Sequence, residues 1–144
     1  MSILTLAQAS IIVDQALARG RELKLHPLTV IVLDAGGHLK AAKREDDSSL
    51  LRQEIATGKA WGVLGMGFGG RELQRRAAKA PAFFGALSDM SGGRMVPVPG
   101  GVLIQDGTTL LGAVGVSGDT GDNDEVCALA GIQAAGLGAI PGKR

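Results

Sequence analysis

The sequence predicts a mixed α/β domain of the α+β type, in which helices cover one antiparallel sheet. Strand-like apolar segments occur in two adjacent pairs, and segments with helical periodicity stand before, between and after these pairs. Strands that follow one another as hairpins favour antiparallel pairing, whereas a parallel sheet needs single strands that alternate with helices. The chain has 144 residues and no internal repeat or linker, so residues 1–144 are expected to form one domain.

The first half of the predicted order is a helix followed by a hairpin. Apolar residues recur at helical spacing over residues 5–24, and Thr5 is a suitable N-cap. His26-Pro27 ends this helix, because a residue before proline avoids the α region. Residues 28–34 and 38–44 then predict two strands joined by a glycine turn.

Helices follow the first hairpin. The polar cluster at residues 46–49 predicts the cap of a helix over residues 49–65. The glycine run at 65–70 ends that helix, and a short charged helix over 71–79 comes next. Pro81 restarts a turn or brief helix that extends to Leu87.

A second hairpin and a last helix complete the order. Prolines and glycines over residues 92–101 predict an ordered loop. Strands are expected over 102–105 and 110–117, with Asp106-Gly107 in the turn between them. The last helix is expected to begin at Asp122, with Glu125 as its capping-box partner, and to end at a glycine-rich turn before Pro141.

The composition excludes several classes of function. The formal net charge is +1, and the basic residues form no long run, so a nucleic-acid partner is not expected. No apolar stretch reaches the roughly 20 residues of a membrane helix, so a membrane partner is not expected either. Cys127 is the one cysteine, which excludes an internal disulfide and favours a cytoplasmic location.

Three short stretches resemble known functional motifs, but the residues around them argue against each function. Residues 65–70 match G-x-G-x-x-G, but they follow a helix and not a strand, which argues against dinucleotide binding. The stretch 115–118 begins like a nucleophile elbow, but Asp119 stands where its last glycine belongs. A calcium loop starting at Asp119 would need glutamate where Ala130 stands.

Lys59 is the most informative charged residue, because it faces the predicted inner arc of the second helix. A lysine that points inward needs a counter-charge or a pocket. Asp46 or the carboxylate of a ligand are two candidate partners, and an internal ion pair is the structural alternative. Asp122 is expected to cap the last helix, while the roles of Asp124 and Glu125 stay open.

Several segments, taken together and in order, resemble the GlcG/HbpS-like proteins, a family related to the C-terminal module of PduO-type adenosyltransferases. The resemblance covers nearly the whole chain. It rests on Leu4-Thr5-Leu6, residues 32–39, Arg44, Asp46, Lys59-Ala60, residues 99–102, residues 112–118 and Asp124-Glu125.

The resemblance implies a profilin-like fold with an antiparallel sheet of about five strands, homo-oligomers and the binding of haem. Other members accompany glycolate or aromatic-compound catabolism. This chain departs from the haem-binding pattern, because its first helix carries no histidine and the glycine-rich stretch 65–70 replaces the usual Thr/Ser-rich one. The residues that remain as candidates for haem propionates and for the haem ring are Arg44, Lys59, Arg94, Met66, Met90 and Met95.

The leading hypothesis is a homo-oligomeric small-ligand-binding protein that takes haem or another tetrapyrrole, with no further cofactor. The site is expected in a cleft between the second helix and the loop 97–101, and His38 is the candidate axial ligand. The candidate ligand-binding residues are His38, Arg44, Lys59, Gly100, Gly101, Ser117 and Gly118.

Two alternatives remain open. The first is an enzyme that acts on a small carboxylate, which Lys59 or Arg44 would hold while Asp46 or Glu125 moves a proton. The second is a structural scaffold whose glycines allow tight packing between subunits.

Overall fold

The structure is a computed structural model, and it describes residues 3–144. Five helices and five strands follow one another as α1 Leu6–Glu22, β1 Thr29–Asp34, β2 Leu39–Arg44, α2 Leu51–Met66, α3 Gly70–Lys79, α4 Pro81–Met90, β3 Gly101–Asp106, β4 Thr109–Ser117, α5 Gly121–Ala134 and β5 Gly138–Ile140. Within these described residues, none of the helices combines the length and apolarity that a membrane crossing requires.

The five strands form one sheet in the order β2-β1-β4-β3-β5, and all neighbours are antiparallel. The predicted antiparallel sheet covered by helices is therefore confirmed, together with both hairpins. At the centre of the sheet β1 pairs with β4, from Thr29 opposite Ser117 to Asp34 opposite Gly112. This pairing puts the β1–β2 turn and the end of β4 at opposite ends of the sheet.

Helices cover both faces of the sheet. Val30 and Val32 of β1 pack with α1 and α5 in one core cluster, whereas Ile31 and Leu33 pack with α2, α3 and α4 in another. Successive side chains of a strand point to opposite faces, so a strand that is buried on both faces is a continuous apolar run. The run from Leu28 to Leu33 has this form.

The last strand, β5, was not predicted, because the sequence places glycine and proline where a terminating turn was expected. Residues 138–140 pair with β3, and Ile140 lies opposite Leu103. The fourth helix is also longer than expected and ends at Met90, not at Leu87. Short edge strands are difficult to recognise, because a run of three residues shows no periodicity.

The helix caps only partly follow the prediction. Thr5 caps α1 in a full capping box with Gln8, as expected. The polar cluster before α2 contributes no side-chain cap, because the Ser48 hydroxyl is hydrogen-bonded to the Thr29 hydroxyl at 2.8 Å. At α5 the cap is Thr120 and not Asp122. The Thr120 hydroxyl accepts a hydrogen bond from the backbone N–H of Asn123, the third residue of the helix.

Glycines let α2 lie directly on the sheet. A Cβ atom built on Gly115 would overlap the carbonyl oxygen of Ala56, and one built on Gly101 would lie 2.5 Å from the carbonyl oxygen of Lys59. Both obstacles are helix backbone, which cannot move aside as the end of a side chain can. The helix therefore approaches β3 and β4 more closely than any larger residue would allow.

A buried ion pair joins α2 to α5 across β4. The Lys59 ammonium donates to Asp124 Oδ2 at 3.0 Å and to the carbonyl oxygen of Val116 at 2.9 Å, and the two side chains are only 4% and 1% exposed. Asp124 Oδ1 accepts the backbone N–H of Asp119 at 3.0 Å. Burial lowers the pKa of Lys59 and raises the pKa of Asp124, although each charge opposes the shift of the other.

The close approach of α2 gives a first prediction, which concerns two glycine substitutions whose effects on stability should have opposite signs. Gly115→Ala forces α2 away from β4, and we expect it to lower the free energy of unfolding by about 3 kcal/mol. Gly85→Ala is the matched control, because a Cβ atom at this helical position meets nothing within 4 Å. It should raise stability by about 0.5–1 kcal/mol. Urea unfolding of both variants measures this, and equal stability would contradict the packing described.

The buried pair gives a second prediction, in the form of a double-mutant cycle. Lys59→Met and Asp124→Asn each leave one buried charge without its partner, so each should lower the free energy of unfolding by about 3–5 kcal/mol. The double variant removes both charges, and it should lose clearly less than the sum of the two single losses. Unfolding by urea measures the cycle. Strict additivity would show that the two charges do not interact in the folded protein.

Candidate functional site

The predicted site residues lie in three separate regions. Lys59, Gly100 and Ser117 are in the interior near the start of α5, His38 follows the β1–β2 turn, and Arg44 lines a groove with Asp46. The β1–β4 pairing separates the His38 end from the Ser117 end by about five residues of strand, or roughly 17 Å. They therefore do not form one compact site.

The cleft expected between α2 and the loop 97–101 is closed, which corrects the prediction. Gly101 lies against the backbone of Lys59, and a Cβ atom on Gly100 would be 2.7 Å from the Lys59 ammonium. Asp46 is not the counter-charge of Lys59, because Asp124 holds that place. Of the alternatives left open, the internal ion pair is the one that the structure contains, so Lys59 is not free to hold a carboxylate.

The ends of β4 and the turn after it are also packed. The Ser117 hydroxyl is buried and accepts a hydrogen bond from Arg52 Nη1 at 3.2 Å, a partner that the sequence analysis missed. Gly118 lies against the backbone of Pro27 and Leu28, so a Cβ atom there would overlap the Pro27 carbonyl oxygen. These residues position the strand ends, and the Ser117 hydroxyl already has a protein partner.

The acidic start of α5 is neutralised from both sides. Lys59 neutralises Asp124, while Arg71 of α3 contacts both oxygens of Glu125 at 3.1 Å and Asp122 Oδ1 at 2.7 Å. Glu125 therefore joins α3 to α5, and the predicted capping role of Asp122 is replaced by this contact. The sequence signal for Arg71 was weak, because its partners lie more than 50 residues away along the chain.

His38 stands beside an open cavity of about 320 Å³. Asp34 Oδ1 accepts the backbone N–H groups of Gly36 at 2.9 Å and His38 at 3.0 Å, and it lies 3.3 Å from His38 Nδ1. The His38 N–H lowers the pKa of Asp34, so this carboxyl group is a carboxylate at neutral pH. The cavity is lined by Ile3, Leu4, Asp34, Ala35, Gly36, His38, Lys40, Leu110 and Leu111.

The imidazole of His38 is held at one nitrogen only. Its side chain is 81% exposed, and among residues 3–144 no hydrogen bond engages Nε2. A carboxylate beside one ring nitrogen can orient an imidazole and leave the other nitrogen for a metal, which is the arrangement of many metal-binding histidines. The pair is therefore chemically able to bind a metal centre or to accept a proton.

Trp61 and Arg94 lie close to the same turn. A Cβ atom on Gly37 would be 3.5 Å from the indole of Trp61, and the Arg94 guanidinium stacks 4.3 Å from the centroid of the Trp61 ring. Arg94 also donates from Nε to the carbonyl oxygen of Ser91 at 2.7 Å. Of the candidate methionines, Met95 is buried in the core, whereas Met90 is exposed.

Arg44 and Asp46 line a groove of about 530 Å³ whose rim carries several charged side chains. Arg44 donates from Nη1 to the carbonyl oxygen of Ser48 at 2.9 Å and forms no ion pair within the described part of the chain. Its neighbour Lys43 pairs with Asp14 at 2.7 Å. The groove is lined by Leu17, Arg21, Pro27, Lys43, Arg44, Glu45 and Asp46.

Solved structures with this fold include proteins that the comparison aligns over almost the whole chain. The crystal structure of a PduOC:heme complex has a TM-score of 0.87 and 27% identity, and the match covers 95% of this chain and 98% of that one. The crystal structure of HbpS has a TM-score of 0.81 and 27% identity, with 92% and 90% covered. The Klebsiella pneumoniae protein ORFY has a TM-score of 0.83 at 24% identity, with 92% and 90% covered, which shows the fold alone.

Two curated sequences are also similar. The corrinoid adenosyltransferase PduO of Citrobacter freundii is 31% identical over 109 residues, and the protein of that name from Salmonella typhimurium is 29% identical over 123 residues. These matches cover 76% and 85% of this chain but only 32% and 36% of the two relatives. The chain thus spans about a third of the length of these relatives.

A family profile decides the assignment. The profile described as haem degrading protein HbpS-like matches residues 4–133, which include all elements from α1 to most of α5. The sequence resemblance stated at the outset is thereby confirmed, and the chain belongs to the HbpS-like family.

Proposed function

We propose that this protein is a homo-oligomeric small-molecule-binding protein that takes haem or a related tetrapyrrole at His38. The observation that carries the proposal is the Asp34–His38 pair, which stands at the edge of a cavity lined by both apolar and charged residues. The similarity to PduOC, which has been solved as a haem complex, supports the choice of ligand. The lone, buried Cys127 is in keeping with a cytoplasmic site of action.

The residues around His38 fit the chemical needs of haem. Histidine is a common axial ligand of haem iron, and a carboxylate beside its second nitrogen orients the ring for that role. Ile3, which is exposed, and the partly exposed Leu110 offer apolar surface to a macrocycle, and Lys40 in the same cavity offers a cation to a propionate. Bound haem would supply an iron centre for ligand or electron chemistry, which this chain would tune through Asp34.

The cavity also supports the proposal of a homo-oligomer. Its volume of about 320 Å³ lies near the lower end of the range for small-ligand sites. One chain therefore covers only part of a macrocycle, and a second copy is the natural cover for the rest. Ile3 in the cavity and Leu39 next to His38 are each 64% exposed, which provides apolar surface for that contact.

A haem titration with two histidine variants gives the third prediction. Haem added to the protein should shift its Soret band, and His38→Ala should weaken binding at least about tenfold or abolish the shift, because the iron loses its ligand. His26→Ala is the matched control, since His26 is the other histidine of the chain and lies outside this cavity. Absorbance spectroscopy measures both variants.

Two results would refute this site or its assembly. If His38→Ala and His26→Ala give the same Soret maximum and affinity as the unchanged protein, His38 is not the ligand. Analytical ultracentrifugation of the loaded protein tests the second part. A haem-bound monomer of full affinity would refute the homo-oligomeric site while leaving His38 as the ligand.

A second candidate function rests on the groove at Arg44. Arg44 and Asp46 line the same cavity, so a guanidinium for a carboxylate and a carboxyl group for proton transfer are near each other. This supports an enzyme that acts on a small carboxylate. Lys59 and Glu125 are not part of this proposal, because each is held in an ion pair with a protein partner. The other alternative, a structural scaffold, requires neither the His38 cavity nor the Arg44 groove.

A substrate screen gives the fourth prediction, for this second candidate. Muconate-like and 2-hydroxy acids are incubated with the protein, and turnover is followed by chromatography. If one acid is converted, Arg44→Gln should lower kcat/KM about tenfold or more, because it removes a charged hydrogen bond to the substrate. Lys40→Gln, in the His38 cavity, serves as the control. Equal rates in both variants, or no conversion of any acid, would reject this function.

A further inference from the structure

A third cavity, of about 350 Å³, is formed by α3, α4 and the end of α2. It shares no lining residue with the cavities at His38 and Arg44. Its apolar lining includes Met66, Phe83 and Phe84, and its charged lining consists of Arg75, Arg76 and Lys79. Nothing in the proposed haem site or in the Arg44 groove uses these residues.

The apolar part of this cavity contains an exposed aromatic ring. Phe83 is 55% exposed, and its ring meets the ring of buried Phe84 edge-on, with the centroids 5.7 Å apart. The chain has only three phenylalanines, and two of them line this one cavity. An aromatic ring left half in water gains free energy when an apolar group covers it, because the covered area leaves water.

The charged part of the cavity carries an excess of positive charge. Buried Glu72 accepts hydrogen bonds from Arg75 Nε and Nη2, both at 2.7 Å, and from Arg76 Nε at 2.8 Å. These bonds, of which those from Arg75 have the largest effect, lower the pKa of Glu72 to about 2. The carboxylate therefore stays charged, and it is engaged by the two arginines. Three cations thus face one carboxylate. Within residues 3–144, Lys79 forms no ion pair.

Arg76 is oriented with its outer nitrogens available. Its guanidinium lies over the ring of Phe68, 3.9 Å from the centroid, and Nε is bound to Glu72. The hydrogen bonds of residues 3–144 leave Nη1 and Nη2 of Arg76 unengaged. A guanidinium held flat on a ring, with two N–H groups free, is prepared to bind a carboxylate with little further ordering.

We propose that this cavity binds a small amphipathic monocarboxylate. The apolar body of the ligand lies on Met66 and Phe83, and its carboxylate binds Arg76 and Lys79. The net charge of the lining favours an anion over a neutral ligand of the same shape. The site is independent of the proposed haem site, because no residue is shared.

The test is a titration that separates the charge of the ligand from its apolar body. The probe is 4-phenylbutyrate, and 4-phenylbutan-1-ol is a neutral ligand of similar shape. Amide NMR spectra of the full chain show where each of the two molecules binds. We expect 4-phenylbutyrate to shift amides of α3 and α4, and Lys79→Gln to weaken its binding about three- to fivefold. Because Lys79 is exposed and has no ion pair, this variant should fold normally, which its urea midpoint checks. Phe83→Ala should weaken both probes.

Lys40→Gln is the matched control, since it removes one lysine from the His38 cavity instead. It should leave the binding of 4-phenylbutyrate unchanged. The proposal is overturned if 4-phenylbutyrate shifts the amides of residues 34–40 and not those of α3 and α4, or shifts none. It is also overturned if Lys79→Gln binds the acid as tightly as the unchanged protein, or if it weakens the alcohol equally.

Discussion

The structure depends on the direct contact between α2 and the sheet. Gly101 and Gly115 let the backbone of the helix touch β3 and β4, so the inner face of α2 has no room for water. A lysine on that face must then be neutralised inside the protein, and Asp124 of α5 does this. One contact therefore sets the position of α2 and the place of α5, because the two helices are joined through this pair. The tight packing leaves no cleft beside Lys59.

Because of this close packing, we expect ligands to bind at the edges of the molecule and not beside α2 and Lys59. The interior charges Lys59, Asp124 and Glu125 are each bound by a protein partner, so they hold helices together and do not meet a ligand. Three open cavities lie away from the Lys59–Asp124 pair, at the β1–β2 turn, beside β2, and between α3 and α4. Their polar residues have incomplete sets of partners, as His38 and Arg44 illustrate. Polar groups that could still bind a ligand are found where the helices do not pack tightly on the sheet.

The sequence alone predicted the sheet and failed at the pairings between distant segments. Hairpins and helices follow from local periodicity, which is why the order of elements and the cap at Thr5 were correct. The inward direction of Lys59 was also visible, since it follows from helical spacing. Its partner was not visible: Asp46 was the protein residue proposed, because it lies closer in sequence, whereas Asp124 lies 65 residues further along the chain. The strand β5 was missed because its three residues pair only through the tertiary fold.

The unusual composition links the tight core to the exposed cavities. A chain with 23 glycines and four aromatic residues builds its interior from close backbone approach and small aliphatic side chains, as at Gly115. Of the four large rings only Phe84 is buried in the core, and the other three are partly or largely exposed. Trp61 lies beside the β1–β2 turn under Arg94, and Phe83 lies in the α3–α4 cavity. Arg94 stacks on Trp61, and Arg75 and Arg76 line the cavity of Phe83, which favours anionic ligands with an apolar body. The packing that closes the centre of the molecule thereby leaves aromatic and cationic groups together at the surface.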